Sequence, residues 1–98
     1  MILVRDVLKI APDTMKEAKE LARKNRELSR KLGFPEMVLM TDLAGNYYTL
    51  VMETRFDSLS HFEESIKRVM GSKEWQTWYP KLRKCIRGGV REIYSIID

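Results

Sequence analysis

The order in which residue periodicities change along this chain restricts its fold more than any other feature. Strand-like and helix-like stretches follow one another as β-α-β-β-α-β, the order of the ferredoxin-like fold. In chain order the predicted elements are Ile2–Ile10, Pro12–Leu32, Glu36–Leu43, Tyr47–Phe56, Leu59–Ile86 and Val90–Ile97. We therefore expect an α+β domain whose four-stranded antiparallel sheet carries its helices on one face. The opposite face looks too apolar to remain in water, which favours a homodimer formed through the sheets.

The second helical stretch contains its own start and stop signals. It begins after Ser58 or Ser60, and Ser60 with Glu63 has the spacing of a capping box. Gly71 and Ser72 then interrupt the helix, and the Ser72 hydroxyl is suited to cap a second segment. The pattern predicts two helical pieces separated by a break.

Length and composition indicate one globular domain over residues 1–98. The chain is 44% hydrophobic and 33% charged, and no apolar run reaches the ~20 residues that a membrane span needs. The start, Met1 to Asp6, lacks the basic leader and cleavage site of a signal peptide. The one cysteine, Cys85, is expected as a buried hydrophobe and suits a reducing compartment. We therefore expect a cytoplasmic protein that does not bind membranes.

Several common kinds of site are not indicated. A metal site needs clustered ligands, but the only histidine, His61, and Cys85 are far apart in the chain. Gly88 and Gly89 precede a strand and do not open a helix, so they are unlike a phosphate-binding loop. We expect neither a metal nor a cofactor.

We do not expect nucleic acid as a partner, although the net charge is +4. The RNA-recognition motif shares this element order and stacks bases on aromatic side chains of its two central strands. Here the first strand has no aromatic residue, and Glu53 on the third strand repels phosphate. The basic residues near the C-terminus are interpreted as a solvated face; they are Lys81, Arg83, Lys84, Arg87 and Arg91.

The aromatic segment from Trp75 to Pro80 allows two interpretations. Trp75 and Trp78 lie on one side of a helix, and tryptophan is bulky and apolar. One interpretation is a core or dimer contact. The other is the wall of a pocket for a flat ligand, formed by Trp75 and Tyr79 beside the helix break, with Tyr94 of the last strand nearby.

Strand carboxylates are the candidate acid–base groups. Asp6 and Glu53 are the candidate bases for a pocket between the sheet and the helix break. The alternative is that both carboxylates form structural ion pairs with arginines of neighbouring strands, a pattern that looks the same in sequence. The faces of the first and last strands stay ambiguous, and if both present even positions, these groups share the uncovered face: Asp6, Glu53, Arg55, Glu92 and Tyr94.

Four short segments at element boundaries are distinctive: Ala11–Thr14, Phe56–Leu59, Ser72–Trp75 and Glu92–Tyr94. With these segments the chain resembles the dimeric α+β-barrel superfamily over nearly all of its length. That superfamily includes the antibiotic-biosynthesis monooxygenases, the NIPSNAP proteins and the stress-responsive barrel proteins. The Trp75 segment is most similar to the NIPSNAP members.

The resemblance implies a homodimer whose two sheets pack face to face, with a small apolar or aromatic ligand in the barrel. Haem degradation is not implied, because Asp6 stands where those members have asparagine and Tyr79 where they have histidine. The alternative function is a cofactor-independent monooxygenase or isomerase acting on an aromatic or enolisable substrate. In that chemistry the substrate itself reduces oxygen, and the protein binds it, excludes water and accepts a proton.

Overall fold

The helices and strands follow the predicted order. The computed structural model describes all 98 residues, Met1 to Asp98. A short 3₁₀ turn at Pro12–Thr14 precedes the first α-helix. The remaining elements are β1 (Ile2–Ile10), α1 (Met15–Lys31), β2 (Met37–Thr41), β3 (Thr49–Phe56), α2 (Leu59–Met70), α3 (Lys73–Arg83) and β4 (Ile86–Ser95).

The four strands form one antiparallel sheet in the order β2-β3-β1-β4, which confirms the ferredoxin-like topology. The central strand β1 pairs with β3 in a register that joins Arg5 to Glu53. It pairs with β4 in a register that joins Arg5 to Glu92. Odd positions of β1 therefore share a face with odd positions of β3 but with even positions of β4.

Even positions of β1 and β3 face the helices and form the core. Leu50 and Phe56 of β3 and Ile10 of β1 are almost completely buried, as alternation along β3 predicts. Ile10 and Leu50 pack with apolar residues of α1 and α3, whereas Phe56 packs with Phe62 of α2. Cys85 is also buried, which confirms its interpretation as a small core residue. We call this side of the sheet the helix face and the opposite side the open face.

The predicted start of β3 and the predicted capping box of α2 are wrong. Ser58, one of the two expected caps of α2, is confirmed. Strand β3 begins at Thr49, because Tyr48 has a φ of 59° that an extended strand does not allow. The Asp42 carboxylate accepts a hydrogen bond from the Thr49 amide at 2.8 Å and closes the β2–β3 loop. Helix α2 is capped by Ser58, whose hydroxyl accepts from the His61 amide at 3.1 Å, so the predicted capping box at Ser60 does not form.

The last strand is longer toward its N-terminus than predicted. It begins at Ile86, and a register irregularity opposite Ile10 adjusts its pairing with β1. Gly89 is required there for space. A Cβ atom at this position would lie 2.8 Å from Leu8 Cδ2 and 2.8 Å from the Val7 carbonyl oxygen. Gly88 and Gly89, expected to precede the last strand, are thus part of it.

The predicted helix break is confirmed, and it positions the two tryptophans differently. The Ser72 hydroxyl accepts from the Trp75 amide at 3.2 Å and caps α3. Trp78 is buried, and its indole Nε1 donates to the Leu21 carbonyl of α1 at 2.7 Å. Trp75 is only half-buried. Trp78 therefore connects α3 to α1, while Trp75 packs at the edge of this core.

We expect Trp78→Ala to lower the free energy of unfolding by about 3–5 kcal/mol, because it removes a buried indole and leaves the Leu21 carbonyl without its donor. Trp75→Ala is the matched control and should cost clearly less. Urea denaturation followed by circular dichroism measures both values. Equal losses in the two variants would contradict the different roles assigned to the two indoles.

Candidate functional site

A pocket of about 610 Å³ lies between the helix face of the sheet and helices α2 and α3. Its walls are mostly apolar. The sheet contributes Val4, Leu8 and Met52, and the helices contribute Phe62, Ile66, Val69, Trp75, Trp78, Tyr79 and Leu82. Its size lies within the range of pockets that enclose small organic ligands. The break between α2 and α3 borders it, since Met70 and Trp75 both line the pocket.

One wall of the pocket is flat and aromatic. The rings of Trp75 and Tyr79 stack with their centres 4.7 Å apart and their planes inclined by 10°. Residues four apart on a helix lie one above the other, so α3 brings these two rings together without help from other elements. Trp78 lies beside them, with its ring centre 6.4 Å from that of Trp75. A planar apolar ligand can pack against such a wall.

The pocket contains two charged side chains, and they are paired with each other. Arg91 of β4 donates from Nε to Asp6 Oδ1 at 2.6 Å and from Nη2 to Oδ2 at 3.3 Å. Asp6 and Arg91 are directly paired across the β1–β4 ladder, so the strand register brings them together. The Arg91 guanidinium also lies 5.3 Å from the centre of the Phe62 ring. The pair offers a ligand one acceptor and several donors in an apolar setting.

Neutral polar side chains lie at the α1 side of the pocket. Asn25 and Ser29 line it, and the Ser29 hydroxyl lies 3.3 Å from Asn25 Oδ1. The Asn25 amide nitrogen has a sulfur partner, Met37 Sδ at 3.9 Å, which is a weak acceptor. Thr54 of β3 is buried and also lines the pocket. These groups can orient a ligand that carries hydroxyl or carbonyl oxygens.

The structure brings together three of the five predicted site residues. Asp6, Trp75 and Tyr79 line the pocket. Glu53 and Tyr94 do not line it, so of the two candidate bases only Asp6 lies at the pocket. Glu53 and Tyr94 lie on the open face, because β3 presents its odd positions there and β4 its even positions. Asp6, in contrast, lies on the helix face. It would lie on the open face only if β1 presented its even positions there.

Glu53 forms part of an ion-pair cluster on the open face. Arg5 donates from Nε to Glu53 at 2.6 Å, and its Nη1 lies 3.9 Å from Glu92. Hydrogen bonding and charge attraction from Glu53 raise the pKa of Arg5. The pKa of Tyr94 is raised as well, first by hydrogen bonding with the Glu92 side chain and then by desolvation and the negative charge of Glu92. The structural ion-pair alternative thus describes the geometry of Glu53, and the Asp6–Arg91 pair across β1 and β4 fits it as well.

Beside this cluster, one row of the open face is entirely apolar. The pairing aligns Met40, Val51, Val7 and Val90 across all four strands. Val90 is 59% exposed and Met40 38% exposed. Val38, next to Glu53, is 51% exposed, and Tyr94 is 45% exposed. The open face therefore presents an apolar band next to a paired ionic cluster.

Arg91 is the functional candidate that the sequence analysis missed. The sequence analysis interprets it as part of a solvated face. Its side chain is indeed 46% exposed, but it also lines the pocket and holds Asp6. The signal that could have found it is the pairing register of β1 with β4. That register depends on the irregularity opposite Ile10, which the sequence does not reveal.

Two kinds of feature are absent from the described chain. No three His, Cys, Asp or Glu side chains come close enough together to hold a metal ion. None of the helices has the length and apolar composition that crossing a bilayer requires.

Comparison with known proteins relates this architecture to a family. The sequence model of the NIPSNAP family matches residues 6–98. The chain belongs to the NIPSNAP family. A NIPSNAP family protein from Agrobacterium tumefaciens has a similar structure, with a TM-score of 0.90 at 17% identity, over 99% of this chain and 93% of that one. A NIPSNAP domain protein from Burkholderia xenovorans gives 0.88 at 13% identity, over 99% and 95% of the two chains.

The fold extends beyond NIPSNAP proteins. An antibiotic biosynthesis monooxygenase gives a TM-score of 0.79 at 14% identity, with both chains covered completely. At such identities the likeness shows the fold alone. A sequence comparison with curated proteins gives no significant match. The suspected relationship to both groups is confirmed at the level of family and fold, and function has to be argued from the site.

Proposed function

We propose that this NIPSNAP protein is a homodimeric α+β barrel that binds a small apolar or aromatic molecule in the pocket between sheet and helices. The observation that carries the proposal is the pocket itself, about 610 Å³ in volume and lined mainly by apolar and aromatic side chains. A cavity of this size in a 98-residue chain removes packing contacts that the core could otherwise make. Occupation by a ligand would restore them.

The dimer part of the proposal is supported by the open face. The apolar row of Met40, Val51, Val7 and Val90 would stay in contact with water in a monomer. Monomeric proteins rarely expose contiguous apolar patches of this kind. A second copy related by a twofold axis would cover the row with the same row of its partner, since such an interface uses one patch twice. A stable interface of this type buries at least ~1,000 Å².

The ion-pair cluster is compatible with this covering. Arg5 already has Glu53 as a close partner and Glu92 as a second carboxylate nearby. Charges that are paired before association cost less to remove from water than isolated charges. The cluster would also fix the relative position of the two sheets. If one sheet slid over the other, the apolar row of one copy would lie against the ionic cluster of its partner.

We expect the wild-type protein to sediment at twice the 11.6 kDa chain mass at micromolar concentration. Val7→Lys should dissociate the dimer, weakening association by about two orders of magnitude or more, because the twofold axis brings two unpaired ammonium groups into one apolar row. Analytical ultracentrifugation measures both. Leu59→Lys is the control, since Leu59 is 51% exposed on α2, away from the open face.

A wild-type protein that sediments only as an 11.6 kDa monomer would contradict the dimer proposal. So would a Leu59→Lys variant that dissociates as readily as Val7→Lys, because the effect would then not depend on the open face.

The ligand part of the proposal is supported by the arrangement of polar groups. The stacked rings of Trp75 and Tyr79 supply a flat wall, and the Asp6–Arg91 pair supplies donors and an acceptor. Few polar groups in a mostly apolar pocket give a ligand its orientation, while the apolar walls give most of the affinity. A small aromatic molecule with one or two oxygen substituents matches this distribution.

We expect the neutral aromatic dye Nile red to bind with a rise in fluorescence, and Met52→Trp to weaken this binding by about tenfold or more. Met52 lines the pocket from β3, and a larger side chain there would occupy ligand space. Leu59→Trp adds the same side chain outside the pocket and should leave the affinity unchanged. Equal affinities in the wild type and Met52→Trp would contradict this location of the site, provided that the variant unfolds at a normal urea concentration.

A second function is favoured by the position of Asp6. A carboxylate beside a pocket with an aromatic wall can accept a proton from a phenolic or enolisable substrate. In a cofactor-independent oxidation, the resulting carbanion or phenolate donates electrons to O₂. A ring CH₂ group becomes a carbonyl, and the second oxygen atom leaves as water. Arg91 would then position the Asp6 carboxylate through its two hydrogen bonds.

Under this second function, the wild-type protein should accelerate oxygen uptake by 1,8-dihydroxyanthrone above the uncatalysed rate. Asp6→Asn should lower the catalysed rate of oxygen uptake by about two orders of magnitude, because it eliminates the proton acceptor. Glu53→Gln, on the open face, should retain it. An oxygen electrode measures the uptake rate with each of the three proteins. A wild-type rate equal to the uncatalysed rate would contradict this second function, and ligand binding would remain as the proposed function.

The proposal includes a cytoplasmic location. It is supported by the single cysteine, Cys85, which is a free thiol buried in the core. Extracellular domains of this size commonly rely on disulfide bonds, which one cysteine cannot form within the chain.

A further inference from the structure

The net charge of the chain is concentrated on one helix. Helix α1 carries seven basic and three acidic side chains, which gives the same +4 as the whole protein. The rest of the chain is therefore neutral overall. Charge on a solvated surface is usually of mixed sign, and an excess confined to one element attracts anions to that element.

Three of these basic residues line a groove between α1 and the edge strand β2. The groove has a volume of about 240 Å³, and its basic side chains are Lys19, Arg23 and Arg26. Its floor is formed by β2 and β3 together with Ala22, and Thr41 contributes a hydroxyl group. No acidic residue lines it. It lies on the helix side of the sheet, and Met40 of the edge strand belongs both to its lining and to the apolar row of the open face.

The three cations are spaced so that they repel one another. Lys19 and Arg23 are four residues apart and Arg23 and Arg26 three apart, which makes each pair neighbours on the helix surface. Like charges at these spacings destabilise a helix. Arg30 of the same helix, by contrast, has two carboxylate partners, Glu27 at 2.6 Å and Glu36 at 3.2 Å. The groove cations form no such ion pair.

Arg26 has an additional unsatisfied group. Its Nε is buried and has no hydrogen-bond acceptor. Every other buried side-chain nitrogen or oxygen atom has a hydrogen-bond partner. Buried donors without partners are rare in folded proteins and require a reason. A small rotation of the guanidinium toward the groove would allow Nε and the terminal nitrogens to donate to an anion.

We propose that this groove binds a phosphate group of a small ligand. A phosphate monoester carries about −1.5 to −2 charge and three acceptor oxygens, which suits two guanidinium groups and one ammonium group. A single carboxylate would leave two of the three positive charges uncompensated. Planar arginine forks bind phosphate oxygens in pairs, so Arg23 and Arg26 supply directional contacts and Lys19 a point charge.

The size of the groove defines how much of the ligand it holds. About 240 Å³ is smaller than the pockets that enclose complete drug-sized molecules. It accommodates a phosphate group and little more, and the rest of the ligand extends into solvent. The same chemistry is present in a soluble phosphate compound and in a phospholipid headgroup, and binding experiments can distinguish the two.

The test uses inorganic diphosphate as the soluble probe and phosphatidic acid vesicles as the lipid probe. Calorimetry measures diphosphate binding, and flotation with phosphatidylcholine vesicles as the blank measures lipid binding. We expect saturable binding to at least one probe, reduced about tenfold or more in Arg23→Gln/Arg26→Gln, because two charge-assisted contacts are lost. Lys16→Gln/Lys24→Gln removes the same charge from α1 outside the groove and should change the affinity less than about twofold.

Arg23→Gln alone keeps the test valid if the double variant does not fold, since Arg23 is exposed. It should weaken binding in the same direction by a smaller factor. Groove-dependent binding of diphosphate identifies a soluble source, and groove-dependent binding of vesicles alone identifies a headgroup. Equal losses in both double variants, no saturable binding to either probe, or tight binding of a single-stranded oligonucleotide without either probe would overturn the proposal.

Discussion

The register of the central strand β1 with its two neighbours determines where every charged group of the sheet lies. Arg5 is paired with Glu53 of β3 and with Glu92 of β4, so three ionic side chains meet on the open face. One residue later, Asp6 is paired with Arg91 on the helix face. A shift of β4 by one residue would reverse its two faces. It would carry Arg91 to the open face and leave Asp6 without this partner beside the apolar pocket.

Much of this fold could be predicted from the sequence, because its signals are local. The alternation along β3 correctly placed Leu50 and Phe56 in the core, and Gly71 with Ser72 correctly marked the break between the helices. The superfamily was recognisable from short segments at element boundaries, and the family match over residues 6–98 agrees with it. Errors occurred at element ends. Tyr48 adopts a positive φ where β3 was expected to have begun, and the capping box at Ser60 does not form because Ser58, the other expected cap, is used.

The site was predictable only in part, because it depends on a long-range pairing. Trp75 and Tyr79 are four residues apart on one helix, and local spacing was enough to expect their common wall. The association of Asp6 with Arg91 joins residues 85 positions apart. It follows from the β1–β4 register, and that register includes an irregularity opposite Ile10 that no local pattern encodes. Apolar residues at both odd and even positions of β1 concealed which face was which.

The pocket persists in the folded chain because the helical layer is interrupted above it. The Ser72 hydroxyl donates to the Val69 carbonyl at 2.7 Å and accepts from the Trp75 amide, so one side chain both ends α2 and begins α3. A continuous helix over this stretch would keep one axis, and Trp75 could not be redirected at this point. Trp75 and Tyr79, stacked on each other in α3, line the pocket just after this break. The same serine thus fixes the ends of both helices where they border the pocket.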